Sequence, residues 1–550
     1  MWNQPRNSLG NMLRLFFISI STIITSGSRN KVIILAFRFL RMSHLMNKAL
    51  KRYFKYRQSQ IDMVLNDPVP YQKRLLKEIL RNNQNSFYGK KHHFSKIVSY
   101  DSYAAAVPVV TYDDLYPYIF RMLEGESNLL VDEPVRWFAK SSGTTNDRSK
   151  YIPVTRTYLN KGHLKCTWFT ASAIYAENPT CKLFAQKNLI MAGSLSTIGN
   201  GFTCGDISAI MMHHYPKIGR RFSTPEISVA LTADWDEKIA RMVDLCINEK
   251  VTLIGGVPTW TLVLIKALLA KSGKSTLTEV WPELRTYMHG GVGFGPYETL
   301  FREYMPVDQV TFREVYNASE GYFAVQDKSK IDGMSLLCDH QVFYEFLPID
   351  TCESGAEAIP LWAVELGQLY AIVITTSAGL YRYRIGDIVE FVSISPYKIK
   401  VRGRVEQFLN VFGEELIVAD TDAAIKNASQ LTEAVVKDYT VAPIFMTNDT
   451  CGGHEWAIEF EQLPQSLESF QEILDRTLRE VNSDYDAKRF GDLALLPLKV
   501  QVLENGTVEA WQRRHRKYGR QHKLPRLSNE RKLIDSLLSV VRPSINIKPL

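Results

Sequence analysis

Val251-Thr252-Leu253-Ile254-Gly255-Gly256-Val257-Pro258 carries the grammar of the fold. Val251 to Ile254 reads as a buried strand and Gly255-Gly256 as a turn. Pro258 opens a helix at a position where its missing N–H costs nothing. That helix runs to Gly273, which suits the residue after a helix end. The same order recurs outward. Leu189 to Ala192 reads as a strand ending at Gly193, and Asp234 begins a helix carrying Ile239, Met242, Val243 and Cys246. Leu284 to Met288 is the next strand, Gly290-Gly291 turns, and Pro296 opens another helix. Val310 to Tyr316 is a further strand. Strands alternating with helices predict a mostly parallel sheet covered on both faces. Ligands of such sheets sit beyond the carboxyl ends of the strands, where these glycine turns fall. The turns serve either as tight corners or as places where backbone approaches a substrate.

Upstream, Tyr71, Leu75, Leu76, Ile79 and Leu80 recur at helical spacing, and Pro108 to Thr111 leads into a helix over Tyr112 to Arg121. Tyr151 to Thr155 is a short strand, with Thr157 as the expected cap of the helix that follows. Downstream, Val342 to Leu347, Leu369 to Thr375 and Ile388 to Ile394 are short strands of an antiparallel subdomain or small barrel packed on the sheet. Beyond Gly403-Arg404 a smaller unit begins. In it, Leu467, Phe470, Leu474, Leu478 and Val481 share a helix face. Leu495 to Leu503 is a strand, and Asn505-Gly506 predicts a hairpin turn. Gln512 to Lys523 holds six Lys or Arg and no acid.

The chain has 550 residues, 45% of them hydrophobic and 23% charged, which is ordinary for a globular enzyme. Its seven cysteines are scattered without a C-x-x-C pair, which argues against a disulfide framework or a zinc ribbon and fits a reducing compartment. Net charge is +8, yet residues 1–60 alone hold 11 Lys or Arg and no acid, leaving −3 for the rest. The basic character belongs to the N-terminus, and no basic-aromatic interleaving of the kind that binds nucleic acid is present. The uncharged runs Leu15 to Ser28 and Val32 to Phe37 fall short of the ~20 residues that span a bilayer. Three readings fit residues 1–45: a targeting segment, a basic helix on anionic lipid, or an extension upstream of a working start at Met42 or Met46. Weak membrane association through residues 1–60 follows from the second. His92-His93 and His213-His214 lack the HExxH spacing of a zinc site.

Ala139 to Lys150 contains Ser141, Ser142, Gly143, Thr144 and Thr145, followed by Arg148 and Lys150. Hydroxyls and free N–H groups around a glycine can wrap an oxyanion, and a nearby base adds charge-assisted hydrogen bonds to phosphate. The spacing is not that of a Walker loop. Tyr316-Asn317-Ala318-Ser319-Glu320 ends a strand with an aromatic, small residues, a hydroxyl and a carboxylate. These suit a stacked purine and a phosphate-bound Mg²⁺, which takes hard oxygen ligands. Asp387, after the turn at Gly386, suits ribose hydroxyls. Arg402 and Arg404 add basic groups, and Lys523 stands in the small unit.

In that order, Ser141 to Thr145, Tyr316 to Glu320, Tyr383 to Asp387 and Gly403 to Gly413 resemble the core motifs of adenylate-forming ligases. Ser149 to Thr155, Val315 to Tyr322 and Gly403 to Leu409 look closest to the Gretchen Hagen (auxin-responsive) acyl-acid amido synthetases, particularly bacterial members. The resemblance covers Tyr71 to Leu527. It implies an α/β fold whose large N-terminal domain has parallel-rich sheets flanked by helices plus a small β-barrel. A smaller, mobile α+β C-terminal domain follows. The boundaries expected are 1–45 for the extension, 46–403 for the large domain, 404–410 for a hinge and 411–550 for the small domain.

The resemblance also implies roles. Residues 141–145 would hold the phosphates of ATP, with Lys150 nearby. Tyr316 would stack on adenine and Ala318 would line it. Ser319 would contact the α-phosphate and Glu320 would hold Mg²⁺. Asp387 would bind ribose with Arg404 in support, and Lys523 would reach in from the small domain as a catalytic residue that neutralises charge. Asn146 departs from the glycine usual in wider adenylating enzymes. The implied reaction activates a carboxylic acid as its acyl-adenylate and passes the acyl group to an amino acid. A coenzyme A ligase with the same first half-reaction, or an ATP-binding regulator without turnover, are the rivals. No nucleic acid partner, a monomeric state and a cytoplasmic location are expected.

Overall fold

The computed structural model describes residues 51–541 except 146–147, 292–293, 307, 328–331, 350–356, 405–407, 415, 448–449, 490–494 and 515–523. The expectations for residues 1–45, and for Lys523 with most of its basic stretch, lie outside the described residues. The chain forms two compact units, Met1–Tyr53 and Phe54–Leu550, and the elements of the second are as follows.

Residues 54–66 are helical, and the helix Val69–Asn82 follows, with Leu75, Leu76, Ile79 and Leu80 buried. The helix Tyr112–Leu123 starts where expected. Its first turn is closed by Thr111 and Asp114, whose carboxylate accepts from the Thr111 N–H at 2.8 Å. Then comes a hairpin of β1 (Val135–Thr145) and β2 (Arg148–Thr155). The hydroxyl-rich stretch is therefore strand through Thr145 rather than a free loop. Thr155, not Thr157, caps the next turn: its hydroxyl accepts from the Tyr158 N–H at 3.0 Å. The cap falls at Thr155 because β2 ends there and leaves the first helical N–H groups without partners. The helix Leu164–Glu177 continues the chain.

Next come β3 (Lys187–Ile190), β4 (Leu195–Ile198), β5 (Phe202–Gly205), β6 (Ser223–Thr224), β7 (Val251–Gly255), β8 (Thr286–His289) and β9 (Thr311–Ala318). Helices fall between them as the sequence demands. Asp234 caps Trp235–Cys246 through the Glu237 N–H, and Pro258 opens Pro258–Ser272, which Gly273 ends at φ +66°. β6, β3, β7, β8 and β9 pair in parallel, in that order.

The chain then turns antiparallel through β10 (Gly321–Gln326), β11 (Met334–Leu336), β12 (Val342–Pro348), β13 (Ile359–Pro360), β14 (Leu369–Thr376), β15 (Tyr383–Ile394) and β16 (Tyr397–Arg404). These strands are hydrogen-bonded to the parallel set through β9 and β10, so one order of twelve runs from β13 to β6. β2, β1, β5 and β4 form a second sheet.

β17 (Phe408–Leu409) pairs with β18 (Leu416–Ile417). The helices Val418–Thr432 and Leu467–Val481 then flank β19 (Val435–Ile444), β20 (Gly453–Gln462) and β21 (Lys499–Leu503). Phe470, Leu474 and Leu478 bury the expected face. Asn505-Gly506 makes no hairpin. β21 lies parallel to β20, and the helix Thr507–Arg514 follows the turn. The Glu459 carboxylate accepts from the Gly506 and Val508 N–H groups at 2.9 Å each, anchoring a helix start where local turn chemistry alone suggested a strand.

One apolar core joins Leu189, Ile254, Leu268 and Tyr287 of the parallel region to Leu409, Phe412, Trp456 and Phe470 of the C-terminal region. Fully burying such side chains contributes about 1.5–3 kcal/mol each. Five of the six described cysteines are buried and none of the six forms a disulfide, in keeping with small core hydrophobes. Among the described residues no helix is long and apolar enough to cross a membrane.

Candidate active site

The turn between β9 and β10 carries Ser319 and Glu320, and it is held from two sides. The Ser319 hydroxyl donates to the Lys140 carbonyl of β1 at 3.3 Å. The buried Tyr158 hydroxyl, just past β2, donates to the Glu320 carbonyl at 2.6 Å. Gly321 is required here: a Cβ would stand 2.6 Å from that hydroxyl and 2.6 Å from the Phe323 ring. Tyr158 leaves no mark in the sequence beyond being an aromatic at a helix start, and its partner is 162 positions away.

Tyr316, three residues before Ser319, is 9% exposed and packs on Phe323 with ring centroids 4.9 Å apart. Its hydroxyl donates to Asp387 Oδ2 at 2.5 Å. Asp387 lies on β15, is 7% exposed, and stands in register opposite Arg404 of β16. Ala318 ends β9 beside the turn. The aromatic, the small residue, the hydroxyl and both carboxylates are thus brought into one region.

The hydroxyl-rich strand reaches the same place through Lys140. Ser141 pairs with Lys150 across the hairpin, and the register breaks between Ser141 and Thr145. The backbone of Ser142, Gly143 and Thr144 therefore leaves the regular ladder next to the turn that holds Glu320. Lys150 Nζ lies 5.7 Å from the centre of the Tyr112 ring. The Tyr112 hydroxyl accepts from the Tyr151 N–H at 2.7 Å, fixing the helix Tyr112–Leu123 to β2. Burial, chiefly, and the field of Glu320 among lesser causes hold the Tyr112 phenol above its ordinary pKa, so it stays neutral.

An apolar cavity of about 110 Å³ lies between the helix Leu164–Glu177 and strands β3, β7 and β8. Trp168, Ala171, Phe184, Tyr215, Phe222 and Met288 are among its wall residues, as is Leu164. Leu164 follows His163, whose ring packs on Tyr158 at 4.8 Å. His163 and Tyr158 thus connect the start of this wall to the Glu320 turn. Asn188 and Ile190 of β3, Leu253 of β7 and Met288 of β8 put one face of the parallel sheet along the cavity. No motif announces this cavity, because its lining comes from separate segments of ordinary core residues. Close packing accounts for one of the glycine turns: a Cβ on Gly290 would meet the Val315 carbonyl at 2.2 Å.

Among the described residues no three His, Cys, Asp or Glu gather into a metal cage. A lone buried carboxylate such as Glu320 beside phosphate oxygens is nonetheless how Mg²⁺ is commonly held, since this ion keeps several waters and takes one or two carboxylates.

The GH3 family N-terminal domain matches residues 57–238 and 200–310, its central domain residues 335–404, and its C-terminal domain residues 419–532. The indole-3-acetic acid-amido synthetase GH3.4 of Arabidopsis thaliana is 25% identical over 537 residues, spanning 82% of this chain and 87% of that protein. GH3.8 of Oryza sativa subsp. indica, also an indole-3-acetic acid-amido synthetase, is 24% identical, spanning 82% and 86%. Among solved structures, the GH3.15 acyl acid amido synthetase superposes with a TM-score of 0.56 at 20% identity, covering 88% of this chain and 95% of that one. The 2-hydroxyisobutyryl-CoA ligase superposes with a TM-score of 0.52 at 14% identity, covering 88% and 92%.

Proposed function

Since this chain belongs to the GH3 family, we propose that it is an ATP-dependent acyl-acid amido synthetase. It activates a carboxylic acid as the acyl-adenylate, releasing pyrophosphate, and then passes the acyl group to an amino acid, releasing AMP. The observation that carries this reading is the meeting of β1, the β9–β10 turn and β15 through the Ser319–Lys140 and Tyr316–Asp387 hydrogen bonds.

In the first half-reaction, a carboxylate oxygen attacks the α-phosphorus and the bond to pyrophosphate breaks. Asp387 accepts the ribose hydroxyls, its carboxylate aimed by Tyr316. The Tyr316 ring and Ala318 border adenine. Backbone donors of 142–144 and Lys150 face the phosphates. Ser319 contacts the α-phosphate, and Arg404 supports Asp387 from the next strand. Glu320 would hold Mg²⁺, which when bound offsets phosphate charge. Lys523 adds positive charge where it builds up, the larger share of such catalysis. The apolar cavity takes the tail of the acid, so that holding acid and nucleotide side by side supplies the orientation.

In the second half-reaction, the amine nitrogen attacks the acyl carbon, the bond to AMP breaks, and the nitrogen loses a proton. Movement of residues 411–550 about 404–410 would remodel the site between the halves. A monomer working in the cytoplasm belongs to the same reading.

Acid-dependent exchange of labelled pyrophosphate into ATP tests the first half, and the product mass tests the second. An amide of the amino acid is expected. A coenzyme A thioester would replace the amine by a thiol, and absence of exchange across a panel of aromatic, jasmonate-like and fatty acids would overturn the proposal.

A further inference from the structure

Four aromatic rings lie nearly parallel along one wall of the cavity. Phe54 stacks on Trp168 with centroids 5.6 Å apart and 26° between planes, on Tyr175 at 5.4 Å and 13°, and on Phe184 at 5.6 Å and 11°. Trp168 stacks on Phe184 at 6.0 Å and 17°, and Tyr175 on Phe184 at 6.2 Å and 9°. Trp168 and Phe184 face the cavity, whereas Phe54 and Tyr175 back them. Phe54 is 0% exposed and touches all three other rings, so it is the centre of the slab.

Protein interiors pack densely, and a ring removed from such a layer is felt by its neighbours. Phe54 fills the space behind both Trp168 and Phe184. Phe54 also lies three residues ahead of the region matched by the GH3 family N-terminal domain, which begins at residue 57. Part of the backing of this wall is thus supplied by chain outside that match.

We propose that Phe54 is a positioning residue that sets the depth of the cavity, through Trp168 and Phe184, and so selects acids by the length of their tails. This rests on the reading of the cavity as the site of the acid's tail. Without Phe54, the indole of Trp168 can settle into the vacated space and the cavity lengthens toward it. A longer tail then gains contacts that the native wall denies it.

The test uses the full chain with Phe54→Ala and the milder Phe54→Leu. Pyrophosphate exchange is measured with straight-chain and ω-phenyl acids of increasing length, and KM is found separately for acid and ATP. A methylene accepted or refused by an apolar pocket is worth about 10-fold or more. Phe54→Ala is therefore expected to raise kcat/KM for long acids over short ones by about 10-fold, through acid KM, with ATP KM unchanged. Phe54→Leu should shift the same way by less, and it carries the test if the alanine variant does not fold. An unaltered length profile, or a loss equal for all acids with ATP KM raised as well, would overturn the proposal.

Ala171→Phe, which fills the cavity itself, separates the two levels. If it leaves acid KM unchanged, the cavity does not hold the acid and the underlying reading fails. If it raises acid KM while both Phe54 variants keep the native profile, only the role of Phe54 fails.

Discussion

Removing the hydroxyl of Tyr316 is expected to weaken ATP binding without touching any group that contacts the acid. The hydroxyl donates to Asp387 at 2.5 Å, and both residues are nearly buried, at 9% and 7% exposure. A hydrogen bond to a charged group at such a site contributes about 1.5–3 kcal/mol. In Tyr316→Phe the Asp387 carboxylate loses the donor that aims it. If about half of that energy is spent on orientation toward the ribose, ATP affinity falls roughly 10-fold, since 1.4 kcal/mol is a factor of ten. Asp387→Ala removes the ribose acceptor together with the partner of Tyr316, so the double variant should be little worse than Asp387→Ala alone. Calorimetric titration of ATP into the four proteins, without acid, gives the coupling energy. Residues in contact couple by about 0.5–3 kcal/mol. Affinity losses that add to within about 0.3–0.5 kcal/mol would show two independent sites, and an unchanged ATP Kd in Tyr316→Phe would refute the orienting role outright. Urea unfolding of each variant separates loss of fold from loss of binding.

Other perturbations have equally definite outcomes. Lys523→Ala should cut acid-dependent pyrophosphate exchange by at least ~10²-fold, the scale of one lost electrostatic donor; near-normal exchange removes its role. Tyr158→Phe leaves the Glu320 carbonyl without the donor at 2.6 Å and should cost about 1–3 kcal/mol in urea unfolding. An equal stability in both proteins would show that the turn does not depend on this bond. His163 is buried with both ring nitrogens unpartnered, and desolvation lowers its pKa from 6.5 to about 3. The unfolded chain therefore binds a proton that the native one refuses, so stability falls as pH drops from 6.5 toward 3, by about 1.4 kcal/mol per unit. His163→Met abolishes this penalty. Its gain over the native protein in urea unfolding should be larger at pH 5 than at pH 7.5, and a gain independent of pH would contradict the neutral, desolvated ring.

Much of the fold could be read locally. Asp234, Pro258 and Gly273 bound their helices as the sequence predicts, because caps, a missing N–H and a left-handed φ are settled by near neighbours. The alternation of strands and glycine turns between 184 and 320 is parallel sheet in β3, β7, β8 and β9, whereas β4 and β5 form an antiparallel pair in the second sheet that the pattern did not announce. Local rules failed where a distant group intervened. Asn505-Gly506 turns as expected, but the Glu459 carboxylate captures the next N–H groups and a helix forms. Thr157 looks like a cap, yet β2 extends only to Thr155 and the cap moves with it.

The site divides along the same line. Which residues could bind a nucleotide was written in the chain: a hydroxyl-rich stretch, a strand-end aromatic and two carboxylates are particular side chains in particular order. That Tyr316 touches Asp387, that Ser319 reaches Lys140, and that Phe54 braces a wall with Trp168 and Phe184 was decided only by tertiary packing. Chemical capacity resides in single residues and survives in a linear string. Distance, burial and cavity shape arise from pairs brought together across a hundred positions or more, by sheet register and close packing, and no local pattern encodes them.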